Sequence, residues 1–112
     1  MRVVELDGEM EPIERFASRG ARSRALGHGE GEAHVYTIEI EPGGEIGPHE
    51  AGFDQLFVVV EGAGWAAGAD GVRHPIAVGQ AAHFERGAVH AKGSETGMRA
   101  LMVQVTRLGD DG

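Results

Sequence analysis

Residues 43–62 read GGEIGPHEAGFDQLFVVVEG, and this stretch decides the fold class. Its second half, Gln55 to Glu61, is a strongly apolar run (QLFVVVE), the pattern of a strand covered on both faces. Upstream, Ala33 to Glu41 (AHVYTIEIE) alternates with period two: Tyr36, Ile38 and Ile40 share one face, Thr37, Glu39 and Glu41 the other. Pro42-Gly43-Gly44 ends that strand. Gly62 and Gly64 punctuate the apolar one, and Trp65 to Ala69 is expected to return as the next.

Further downstream, Asp70-Gly71 between two such runs predicts a two-residue hairpin. Val72 to Val78 follows, with Pro75 marking an edge or bulged strand. Gln80 to Glu85, Val89 to Lys92 and Met98 to Leu108 complete the set. Short strands with turn signals roughly every 8 to 12 residues predict an all-β sandwich or barrel. Nineteen glycines in 112 residues fit a chain of tight turns. The N-terminal stretch is less patterned. Pro12 to Ala17 (PIERFA) suggests a helical turn with Ile13 and Phe16 on one face, and Gly27 to Gly31 a flexible loop without a phosphate-binding fingerprint. The chain therefore divides into an N-terminal arm, 1–32, packing on a barrel core, 33–108, within one domain.

Composition narrows the function classes. With no cysteine, disulfides and thiolate metal sites are excluded. The net charge is −8, and the densest positive group, Arg15, Arg19, Arg22 and Arg24, reads as solvated surface, so no nucleic-acid partner is expected. The longest apolar run, Leu56 to Val60, falls far short of the roughly 20 residues that span a bilayer, and the first residues carry no signal-peptide pattern. The expectation is a soluble, cytoplasmic protein without a membrane partner.

Two histidines sit in patterned surroundings. Five residues separate Gly43 from His49, Gln55 comes six positions after His49, and Gly62 seven after Gln55. The stretch Gly79 to Ser94 reads GQAAHFERGAVHAKGS, with His90 three positions after Gly87. In this spacing the chain resembles the cupins, whose first motif runs Gly, five residues, His-x-His, three or four residues, Glu or Gln, six residues, Gly. Their second runs Gly, five residues, Pro-x-Gly, two residues, His, three residues, Asn. The motifs and flanking strands cover Ala33 to Arg107. Three letters depart: Ala51 replaces the second histidine, Glu85 the proline and Ser94 the asparagine.

The resemblance implies a double-stranded β-helix, a jelly-roll-like barrel, and a homodimer. It also implies that His49, Gln55 and His90 converge on one divalent transition metal. Zn, Fe, Ni, Mn and Cu are not distinguished by two imidazoles and an amide oxygen. Two function readings stand. One is a metal-dependent enzyme acting on a small polar molecule, such as an isomerase, lyase or oxygenase. The other is a metal-free module that binds a small ligand without turnover, which Ala51 favours. No catalytic residue is assigned. Glu50 and Asp54 are possible substitute ligands or bases but read first as solvated carboxylates, and His83 as a surface or interface residue. His74 reads as exposed, His34 as able to line a mouth with Tyr36, and Phe57 and Val59 as pocket walls. Trp65 is open between core anchor and lid, and His28 lies outside the motifs.

Overall fold

The structure, a computed structural model, describes residues 1–110. Ten strands and no helix form among these residues: β1 (Arg2–Glu5), β2 (Glu11–Pro12), β3 (Arg22–Ser23), β4 (Gly27–Ile40), β5 (Gly44–Glu50), β6 (Asp54–Ala67), β7 (Arg73–Ala77), β8 (Gln80–Phe84), β9 (Val89–Ser94) and β10 (Met98–Asp110). No helix is therefore long and apolar enough to cross a membrane.

The apolar run at Leu56–Val60 is the hub. The first half of β6 lies between β8 and β10 in the order β1-β8-β6-β10-β4. Its second half pairs with β7 and β9, and β9 pairs with β5. One continuous strand thus serves two sheets. Gly62 does not end the strand but lets it cross. Its φ is +77°, and β6 shifts register against β10 just before it. The expected return at Trp65 is corrected: Trp65 to Ala67 continue the same strand. The reversal comes later, at Gly68 to Val72. There Gly71 donates to the Gly68 carbonyl and the Asp70 carboxylate accepts from the Val72 N–H. The hairpin has a five-residue connection between Ala67 and Arg73 rather than the two-residue one expected.

Inward side chains of both sheets make one core: Ile40, Phe57, Val59, Ala66, Ile76, Ala82, Phe84, Met98, Ala100 and Met102. Tyr36, Ile38 and Ile40 do share a face, as the alternation predicts, and Ile40 reaches the core. A second cluster, Val4, Leu56 and Ala81, lies under the N-terminal segment, where β1 extends the sheet along β8.

Two expectations for the N-terminal segment are corrected. Gly27 to Gly31 is strand rather than loop, because β10 runs long enough to pair with it through Asp110↔Gly27. Pro12 to Ala17 forms no helical turn. Phe16 and Ala17 have φ of +62° and +53°, and Ser18 donates to the Arg15 carbonyl, closing a tight turn that joins β2 to β3.

Candidate functional site

Strand pairing brings the two motif histidines together. His49 near the end of β5 lies directly opposite His90 of β9, and their ring centroids are 4.3 Å apart. Directly opposed residues of an antiparallel pair point to the same side, so both imidazoles share one side of the sheet, His90 buried and His49 at its exposed rim. Period two on β9 places Lys92 and Ser94 on the His90 face. Gln55, the second residue of β6, is buried opposite Gln104 of β10.

A cavity of about 270 Å³ opens among these strands, lined by Tyr36, Ile38, Ile46, His49, Gln55, Lys92, Met102 and Gln104. Of the three expected ligands, His49 and Gln55 line it. His90 does not. It sits beside His49 with its ring 4.4 Å from that of Phe84, and Lys92 takes the lining position on β9. Lys92 is the residue that sequence reasoning missed. The signal was present: it is the only lysine of the chain, since the other nine positive residues are arginines.

The electrostatics follow from burial. Lys92 is only 1% exposed, and its Nζ lies 3.0 Å from His90 Nδ1, 4.8 Å from the Phe84 ring centre and 5.2 Å from that of Phe57. Burial lowers its pKa to about 8. His90, also 1% exposed, is lowered to about 3 by burial first, then by the charges of Lys92 and His49. Near pH 7 the pair is therefore an ammonium and a neutral imidazole. An ammonium has no lone pair, so Lys92 donates and His90 Nδ1 accepts. The imidazole proton then sits on Nε2, which is buried without a partner, as is Gln55 Oε1. His49 Nδ1 lies 2.8 Å from the Gly47 carbonyl and donates to it.

These donors are a poor match to a resident transition-metal ion. Ligation needs a lone pair on nitrogen, and His90 Nε2 carries a proton when Nδ1 accepts from Lys92. Ala51, where a histidine ligand would stand, is buried and apolar. A fixed ammonium on the cavity wall also repels a second cation. Among the described residues no group of three His, Asp or Glu side chains is placed to hold a metal.

The remaining candidates have other duties. Asp54 is not a solvated carboxylate: it accepts from the N–H of Arg86 and of Leu108, each at 2.8 Å, tying β6 to two distant segments. Ser94 donates to the Ala63 carbonyl and accepts from the Gly97 N–H, so it closes a turn. Glu50 and His74 are exposed. Trp65 is neither core anchor nor lid of this cavity: it packs on the outer side against Gly93, beneath the Arg73 guanidinium at 3.9 Å. Phe57 is core rather than wall, and Val59 likewise. His34 sits between Tyr36 and Phe53 and meets Glu32 at 2.6 Å. His83 is half-buried, with Nε2 unpartnered, in a wider outer depression of about 590 Å³ shared with Asp54. Asp54 there is committed to backbone and Glu85 is exposed, so the barrel cavity is the better candidate.

Comparison with known proteins agrees with this architecture. Residues 36–105 match the family model described as cupin domain. No curated protein matches the chain. A conserved protein of unknown function from Streptococcus pyogenes superposes with a TM-score of 0.63 at 22% identity, over 70% of this chain and 68% of that one. A cupin-like protein from Thermotoga maritima gives 0.63 at 17% identity, over 71% and 65%. A cupin superfamily protein from Desulfitobacterium hafniense gives 0.62 at 14%, over 96% and 100%. At these identities the likeness is one of fold.

Proposed function

We propose, from the premise that the chain belongs to the cupin family, that it binds a small polar molecule in the barrel cavity without a resident metal. The single observation that carries this reading is Gln55 Oε1, buried on the cavity wall with no hydrogen-bond partner. A buried carbonyl oxygen without a partner costs about 1–3 kcal/mol, a cost that a bound donor removes. His49 and Gln104 add polar groups at the same wall, while Ile38, Ile46 and Met102 supply apolar contact. This mixture is what small-molecule sites present, and about 270 Å³ is below the roughly 300–1,000 Å³ of sites for drug-sized ligands. A compact metabolite fits it best.

The chemistry of turnover is not needed for this reading. His49 Nε2 keeps its lone pair when Nδ1 donates to Gly47, so it accepts a hydrogen bond or a proton from a bound hydroxyl. The test is a thermal-shift screen of small organic acids, polyols and sugars against the metal-free protein. Ligands that raise the melting temperature of the wild type are expected to lose most of that shift in Gln55→Leu. An equal shift in Gln55→Leu would remove the cavity from consideration.

A homodimer is the companion reading. Val35, 66% exposed, and Leu101, 40% exposed, lie on the outer face of the β1-β8-β6-β10-β4 sheet, and a second copy would cover them.

A further inference from the structure

Lys92 has no role in that reading beyond lining the wall, yet it is the most unusual group in the molecule. A buried ammonium normally faces a carboxylate. Lys92 has no ion pair among the described residues. Its polar contact is the neutral His90 imidazole, and aromatic faces complete its surroundings. The cavity wall contains no Asp or Glu. In a chain of net charge −8, the cavity is thus lined by a single fixed charge, and that charge is positive.

Resting on the reading of this cavity as a ligand site, we propose that the Lys92 ammonium stands in for a metal cation and that the ligand presents a carboxylate to it. The carboxylate supplies the missing counter-charge to an ammonium that is itself 1% exposed, where the attraction is stronger than at the surface. His90 holds the ammonium in place through Nδ1, and the Phe57 and Phe84 faces favour its cationic form. Gln55 Oε1 accepts from a hydroxyl elsewhere on the ligand. The class is a small hydroxy-acid.

The sole lysine makes the test direct. Protein carrying 13C,15N-lysine gives one side-chain lysine signal, that of Lys92. Lactate and glycolate are titrated against it and against Lys92→Met and Lys92→Gln, with lactamide and glycolamide as neutral counterparts, by calorimetry and NMR. The expected result is that a carboxylate binds the wild type at least tenfold more tightly than its amide and shifts the Lys92 signal. Both variants should lose that preference. Equal binding of acid and amide, or unchanged acid binding in a folded Lys92 variant, overturns this inference and leaves the cavity reading standing. Binding of neither class to the wild type also overturns this inference, while the cavity reading stands or falls on the wider screen and Gln55→Leu. Retention of stoichiometric Zn²⁺ or Ni²⁺ by the wild type, lost in His90→Ala, would also overturn it, because the ion would then hold the place assigned to the ammonium.

Discussion

His90 shows how much one contact changes a residue's chemistry. The resemblance of its motif to that of the cupins implies a metal ligand. With Lys92 Nζ 3.0 Å from Nδ1, the same imidazole becomes an acceptor on one side and a buried N–H on the other. Its titration carries a measurable consequence. The unfolded imidazole takes up a proton below about 6.5, whereas the folded one resists until about 3. The unfolded state therefore binds more protons across that window. Stability is full above pH 6.5 and falls as the pH drops toward 3, by up to about 1.4 kcal/mol per pH unit from this group. Denaturant unfolding at pH 7, 6 and 5 should show this loss, and His90→Gln should show a shallower one. Identical slopes would mean that His90 protonates normally in the fold.

Among the elements, β6 carries the architecture. Its passage from one sheet to the other depends on Gly62, which has φ of +77° and packs so closely that a Cβ would collide with the Gly97 carbonyl oxygen. Both features exclude a side chain. Gly62→Ala is expected to cost about 2–4 kcal/mol, read as a lowered urea midpoint. Gly52→Ala, where a Cβ meets nothing within 4 Å, is the control and should stay within about 0.5 kcal/mol. Equal effects of the two would mean that the crossing does not depend on that glycine. The β5–β9 pair is the other decisive element. It sets His49 against His90, and a register shift between Ile46 and His49 fixes that alignment.

At the scale of the whole molecule, the barrel closes its core but leaves an apolar outer face. Leu101 faces Thr37 on one side and Val58 on the other, with Val35 one step along the sheet. If this face joins two copies, Leu101→Arg should convert a dimer to a monomer in light scattering coupled to size exclusion, with the fold intact by circular dichroism. A monomeric wild type would dismiss the homodimer reading. The same scale explains Asp54. It bonds to Arg86 and Leu108, which lie 32 and 54 residues away, so no local pattern distinguishes it from a solvated carboxylate.

The strands of the barrel were legible because strand patterning is local. Period-two alternation and Pro-Gly punctuation are properties of neighbouring residues, and they placed the second part of β4, the first half of β6 and β7 to β10, though not β5, while the motif resemblance implied the His49–His90 encounter. The N-terminal segment was not legible, because Gly27 to Gly31 become strand only by pairing with the far end of β10. The candidate site was half legible. His49 and Gln55 line the cavity, but His90 and Lys92 share one face of β9, and period two treats them alike. Which of the two reaches the cavity depends on depth within the barrel, set by the strands packed on either side. The sequence by itself thus determined the fold and the neighbourhood of the site. Only the tertiary structure decided that a buried ammonium occupies its wall, because that requires the distances between strands, and no spacing along the chain contains them.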